Sequence, residues 1–216
     1  MMFMSRGIRQ RRDRRRVLSG FTLIEMLVAL LILAIMSALG YSTYRSARIA
    51  AERARESLSR TREIEFGLRI MAQDFEQAVP RPIRDPLGST REPSLRAGLG
   101  KTSLVDLTRG GWSNTAGMQR STLQRVSYQL VGDTFKRSYL TVLDPTQNNV
   151  PVVQDLLTGV TKVTLNYLDG NQNWNAQWPP ATLATPESLW TRPVAVEIII
   201  EFKDWGRVRR LIEIAG

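Results

Sequence analysis

The sequence predicts an α+β protein in which a long N-terminal helix, its first half transmembrane, packs on a C-terminal antiparallel β region. Three observations predict it. The nineteen residues from Phe21 to Leu39 hold Glu25 as their single formal charge. The stretch from Arg45 to Val79 contains no proline and is rich in Ala, Arg, Glu and Leu, all good helix formers. Beyond Pro80, apolar and polar residues alternate at the period of two that belongs to strands.

The apolar stretch, at 1.5 Å rise per residue, spans roughly 28 Å, close to the roughly 30 Å hydrocarbon core of a bilayer. It reads as one membrane-spanning helix over residues 21 to 44. The helical pattern then continues over residues 45 to 79. Ile64, Leu68, Met71, Phe75 and Ala78 step by four and three and so share one face. Glu52, Arg53, Arg55, Glu56, Arg62, Glu63 and Arg69 occupy the other. Pro80, Pro82 and Pro86 end the pattern, so one helix runs from about Phe21 to Val79, on the order of 88 Å long.

Residues 80 to 216 remain for a globular domain, enough to bury a core without disulfides. Val126, Tyr128 and Leu130 alternate before Gly132-Asp133, and Tyr139 to Leu143 follows. Val163, Leu165 and Tyr167 alternate before Asp169-Gly170. Val194, Val196, Ile198, Ile200 and Phe202, then Asp204-Trp205-Gly206, then Val208 to Ile214, read as a hairpin with one buried face. Pro82 to Gly100 and Asn171 to Thr191 are rich in Pro, Gly, Asn and Thr and read as long loops.

Composition narrows the chemistry. With no His and no Cys among 216 residues, Ser-His-Asp and Cys-His nucleophiles, zinc sites of the usual kinds, redox pairs and disulfides are all absent. Carboxylate or lysine chemistry stays open, but no paired motif supports it, and no catalytic, cofactor or metal residue is assigned. The net charge of +10 is unevenly placed. Residues 1 to 20 carry seven arginines against Asp13, a local +6, which leaves +4 on the rest. This basic leader predicts a cytoplasmic N-terminus with residues beyond about 45 translocated, into the periplasm of a diderm bacterium. A domain near +4 is not expected to bind nucleic acid.

The leader meets the apolar helix at Gly20-Phe21-Thr22-Leu23-Ile24-Glu25. This junction resembles the class III signal of type IV pilins and type II secretion pseudopilins, in which basic leader, Gly, aromatic residue, Glu at the fifth mature position and apolar span coincide. The resemblance implies that a prepilin peptidase removes residues 1 to 20 by cutting between Gly20 and Phe21, and that Phe21 is then N-methylated. A glycine at the cut permits close backbone approach by the protease. An acidic residue within a membrane helix costs about 2.5 to 3.5 kcal/mol near the bilayer centre. Glu25 therefore wants a partner, and the new α-amino group of Phe21, its own or a neighbour's, is the candidate for an assembly charge pair. The competing reading is an interfacial Glu that merely faces headgroups.

The resemblance extends downstream. Met71-Ala72-Gln73-Asp74-Phe75-Glu76-Gln77-Ala78-Val79-Pro80-Arg81-Pro82, Thr108-Arg109-Gly110-Gly111-Trp112-Ser113-Asn114, Arg120 to Val126, Val142-Leu143-Asp144, Leu157-Thr158-Gly159-Val160, Trp178-Pro179-Pro180, Val194-Ala195-Val196-Glu197 and Asp204-Trp205-Gly206 are similar, in order, to the J-type minor pseudopilins (GspJ family) of type II secretion. That implies a pilin-like fold and no enzymatic activity. It further implies a single-pass inner-membrane protein with a periplasmic domain. Its partners would be I- and K-type minor pseudopilins at the tip of the pseudopilus, where the complex primes assembly and supports export through the outer-membrane secretin.

Other features have plainer readings. Asp169 to Asn173 has the Asp-x-Asn-x-Asn spacing of a calcium loop, but Trp174 stands where the turn needs Gly and Pro180 where it needs Glu, so a solvated turn is expected. Gly110-Gly111 reads as a tight turn, not a phosphate cradle. Trp112, Trp174, Trp178, Trp190 and Trp205 suit core or loop packing individually, or a contact surface together. Ile64 to Ala78 should cover the β region, and Tyr41 to Leu58 should serve helix packing in the pseudopilus. Arg45, Arg48, Arg53 and Arg55 pair with neighbouring acids, with Glu52 and Glu56, or with water. Three rival functions stand beside the pseudopilin: a minor pilin of a type IV pilus, a DNA-uptake pilin, and a secreted protein cleaved before Tyr41.

Overall fold

The computed structural model describes residues 20 to 214 apart from 86, 99–101, 115–116, 118–120 and 184–185. The basic leader and Arg120 of the Arg120 to Val126 string lie outside the described residues. The chain divides into two compact units, Met1–Glu56 and Ser57–Gly216. Helix α1, Leu23–Glu76, contributes to both. Its start lies two residues later than expected and its end three residues earlier, at the turn before Pro80.

In the first unit every described residue is exposed, including Leu27, Leu31, Ile35 and Leu39. A helix that is apolar all round and buries nothing is long and apolar enough to cross a membrane.

The second unit contains α1 from Ser57 onward and the strands. These are β1 (Ile83–Arg84), β2 (Arg91–Glu92), β3 (Leu95–Ala97), β4 (Val105–Arg109), β5 (Gln124–Val131) and β6 (Thr134–Tyr139) in its first half, then β7 (Val152–Leu157), β8 (Val160–Leu168), β9 (Trp174–Asn175), β10 (Ala195–Phe202) and β11 (Gly206–Glu213). They form a five-stranded sheet in the order β3-β4-β5-β6-β7, a four-stranded sheet in the order β11-β10-β8-β9, and the β1-β2 ribbon. The named pairs are antiparallel, so each sheet is built from neighbours or near neighbours in sequence.

The core takes one face of each sheet and the stripe of α1. Ile64, Met71 and Phe75 of the helix belong to one cluster with Leu107, Val126, Tyr128 and Phe135 of the first sheet and Leu165, Tyr167, Val196, Ile198 and Ile200 of the second. Burying a side chain such as Phe75 contributes about 1.5 to 3 kcal/mol. Gly67 marks a close approach of helix and sheet: a Cβ there would lie 2.6 Å from Leu157 Cδ2.

The strand reading needs corrections. The partner of β5 begins directly after Gly132-Asp133, over Thr134–Tyr139, and not over Tyr139 to Leu143. Gly132, at φ 62°, supplies the left-handed residue that turns the chain there at once. The expected loop Pro82 to Gly100 holds β1, β2 and β3, which are only two or three residues long. The expected loop from Asn171 holds β9.

Candidate functional site

The N-terminal turn of α1 is built by Thr22 and Glu25. The Thr22 backbone N–H and hydroxyl donate to Glu25 Oε2 at 3.3 and 3.2 Å, and the Glu25 N–H donates back to Thr22 Oγ1 at 3.4 Å. With Leu23 as the first helical residue, this is a reciprocal capping box: the hydroxyl satisfies one orphan donor of the first turn, and the carboxylate satisfies another. Glu25 also stands at the positive end of the helix dipole. From the sequence, Glu25 is expected to lack a partner until cleavage frees the Phe21 amine. The structure gives it Thr22, a partner the sequence reading misses although Thr-x-x-Glu before an apolar run is the signature of this cap.

Phe21 is 82% exposed. At Gly20 an added Cβ would meet no described atom within 4 Å. Packing among the described residues therefore does not demand glycine at position 20.

Within the second unit, polar side chains bind α1 to the sheets at two heights. Arg60 Nε and Nη2 donate to the two Asp204 carboxylate oxygens at 2.9 and 3.0 Å, and Nη2 also reaches the Thr158 carbonyl at 2.8 Å. The Arg60 guanidinium lies over the Phe202 ring, 5.3 Å from its centroid. Glu63 accepts from the Thr158 hydroxyl at 3.0 Å and from Arg60 at 2.7 Å. The Asp204-Trp205-Gly206 turn thus serves as an anchor for the helix. Hydrogen bonds from Arg60 hold the Asp204 carboxyl below the usual carboxylate range.

Two residues before the helix ends, Asp74 is wholly buried. Arg109, Arg137 and Tyr128 converge on it from β4, β6 and β5. Arg109 also bonds Gln77 and the Gly110 carbonyl, and Arg137 reaches Gln124 at 3.3 Å. Arg109-Gly110-Gly111 is therefore more than a turn. Its arginine enters the core, while Gly111, at φ 70°, lets Gln77 Oε1 pass where a Cβ would stand 2.6 Å away. Burial, then the Asp74 charge, pushes the Tyr128 phenol well above its ordinary value, so it remains a donor.

The remaining candidates sort simply. The Asp169 carboxylate accepts from the backbone of Asn173 and Asn171 at 2.8 and 2.9 Å, in its own turn. Trp178 is buried in the core, whereas Trp174, Trp190 and Trp205 are more than two-fifths exposed. Arg45, Arg48, Arg53 and Arg55 make no ion pair among the described residues.

Comparison with known proteins decides the family. The family model "Type II secretion system (T2SS), protein J" matches residues 42–214. This chain belongs to the type II secretion system protein J family. The prokaryotic N-terminal methylation motif matches residues 15–41 of this J-family chain. It is 30% identical to type II secretion system protein J of Klebsiella pneumoniae, over 89% of this chain and 93% of that protein. It is also 30% identical to the protein of that name from Vibrio cholerae, over 94% and 90%. Among solved structures it resembles a chain of the GspK-GspI-GspJ complex from enterotoxigenic Escherichia coli, with a TM-score of 0.63 and 26% identity over 73% of this chain and 98% of that one. The pseudopilin fold expected from the sequence, a long helix on antiparallel sheets, is what the structure has.

Proposed function

We propose that this J-family chain is cut between Gly20 and Phe21 by a prepilin peptidase and N-methylated at Phe21. The mature subunit then joins I- and K-type minor pseudopilins at the tip of the periplasmic pseudopilus, where the complex initiates assembly and supports export through the secretin. It works by assembly and has no catalytic activity. Residues 1 to 20 are a leader, residues 21 to 44 the membrane span, and residues 45 to 79 the periplasmic continuation of the helix, with the domain from residue 80 also in the periplasm. The arginine-rich leader stays cytoplasmic because arginine excess is retained on that side.

The observation that carries this reading is the N-terminal turn. A lone carboxylate begins an apolar stretch that carries no other charge as far as Tyr44, and its described partners are local, on Thr22. Cutting before Phe21 would create an α-amine four residues upstream of that carboxylate. An amine can take the carboxylate from its cap, in the same subunit or in the next one along a stack. Such a pair fixes register more than it adds net stability. The open space at Gly20 suits a junction read by an enzyme, and the GspK-GspI-GspJ complex of the related protein is the model for the partners.

Mass spectrometry of the N-terminus extracted from membranes tests the reading. N-methyl-Phe21 is expected. A working chain that retains Met1 would refute processing, and Tyr41 as the first residue would make this a conventionally secreted protein.

A further inference from the structure

We propose that Tyr41, Tyr44, Arg45 and Arg48 form a binding patch for the phosphate headgroup of an anionic glycerophospholipid, in the leaflet opposite the N-terminus. The proposal rests on the membrane-spanning reading above and adds to it the lipid class and the residues that hold it.

Four observations converge. The residues fall at i, i+3, i+4 and i+7 of α1, hence on one face, and together with Ile49 and Glu52 they line one groove of the first unit. Their height is right. At 1.5 Å per residue, Tyr41 lies about 30 Å and Arg48 about 40 Å along the axis from Phe21, against a hydrocarbon core of about 30 Å and a total bilayer of about 40 to 45 Å. With Phe21 at one surface, the four side chains reach the opposite headgroup layer. Their charges are unpaired: Met26 to Tyr44 carry none, Arg45 and Arg48 are the first after Glu25, and neither makes an ion pair among the described residues. Glu52 lies one turn further on and is not bonded to Arg48.

The chemistry favours lipid over a neighbouring helix. Tyr41 and Tyr44 are 69% and 63% exposed. Tyrosine belongs at the membrane interface, where the ring meets acyl chains and the hydroxyl meets water. A guanidinium presents a planar fork of donors that matches two phosphate oxygens, and two such forks one turn apart suit a headgroup with net negative charge.

The full-length mature chain should be reconstituted in nanodiscs of equal parts phosphatidylcholine and phosphatidylglycerol, then released gently for native mass spectrometry. Phosphatidylglycerol is expected in the retained adducts at about threefold to fivefold its share of the disc. The double variant Arg45→Gln/Arg48→Gln should return to the disc ratio, and Arg45→Lys/Arg48→Lys, which keeps the charges but loses the guanidinium forks, should keep only part of the enrichment. Adducts of wild type at the disc ratio, or enrichment that survives in the Gln variant, would overturn the patch. So would a photo-crosslinker at Tyr44 that captures a neighbouring pseudopilin in unassembled membranes and no lipid. Alkaline carbonate extraction separates the two readings. Release of the wild type would overturn the spanning helix and the patch with it, whereas retention without enrichment would overturn the patch alone.

Discussion

The Arg137 guanidinium meets the Asp74 carboxylate through two parallel hydrogen bonds, Nε to Oδ2 at 2.7 Å and Nη2 to Oδ1 at 3.1 Å. Arg109 Nη1 adds a third bond to Oδ1 at 2.5 Å, and the Tyr128 hydroxyl a fourth to Oδ2 at 2.5 Å. One carboxylate on the helix thus holds three strands of the five-stranded sheet. Two guanidiniums share that single negative charge, so Asp74 is the one member whose loss strands two buried cations.

Asp74→Asn should therefore destabilise the protein by about 3 kcal/mol, toward the lower end of the cost of breaking a buried pair because Gln77, Gln124 and the Gly110 carbonyl remain as acceptors. Thermal unfolding of the full chain in detergent should fall by roughly 6 to 12 °C. Asp144→Asn is the contrast. Its partner Arg81 is nearly half exposed, so the shift should stay within about 1 kcal/mol. Equal losses in the two variants would show that burial of the Asp74 network is not what matters.

Gly67→Ala separates packing from helix propensity. Alanine should favour the helix by about 1 kcal/mol, yet its Cβ would lie 2.6 Å from Leu157 Cδ2, and overpacking of this kind costs about 1 to 3 kcal/mol. Leu157 is fully buried and has nowhere to turn. A net loss of up to about 2 kcal/mol in urea unfolding is expected, and the effect should reverse in the background of Leu157→Ala, where the space is open. A loss that persists in that background would rule out the Leu157 contact as its cause.

Acid should weaken the Arg60 anchor. The Asp204 carboxyl is lowered chiefly by the hydrogen bond from Arg60. Desolvation raises the Glu63 carboxyl, but the hydrogen bonds from Arg60 and Thr158 together outweigh it and leave that carboxyl lowered as well. A carboxyl whose folded pKa is depressed contributes stability above its unfolded value and loses it as pH falls through the folded one. The unfolding midpoint should thus drop between about pH 5 and about pH 3, and Asp204→Asn should drop less over that window. An identical pH profile in the variant would remove Asp204 from the account.

How much of this was legible follows from particular residues. The helix was readable because Phe21 to Leu39 is uncharged but for Glu25, and Pro80 and Pro82 bound the far end. The β10-β11 hairpin was readable from the alternation through Val196, Ile198 and Ile200. β4 was not, since Val105-Asp106-Leu107-Thr108-Arg109 is too short and polar to stand out, although all five residues are buried. The Asp74 network stayed hidden for a related reason: an acid among Met71, Ala72 and Phe75 reads as a solvated helix position unless a buried partner is known. Arg109 and Arg137 are brought to it from 35 and 63 residues away, a distance that local pattern does not bridge.

The capping box makes the role of Glu25 separable into two tests. Glutamine at N3 of a capping box can still accept from the Thr22 N–H and hydroxyl, so Glu25→Gln keeps the cap while removing the charge. Glu25→Ala removes both. If the chain is processed as proposed and the carboxylate acts by pairing with the Phe21 amine of a stacked subunit, both variants should be cleaved between Gly20 and Phe21 to the same extent as the wild type, and both should enter the pseudopilus poorly. If capping alone matters, Glu25→Gln should assemble normally, and Thr22→Ala should be impaired, because loss of a side-chain cap costs a helix about 1 kcal/mol. The measurement is cross-linked pseudopilus and exported substrate per cleaved subunit. Normal assembly of Glu25→Gln would transfer the function of this residue from its charge to its cap.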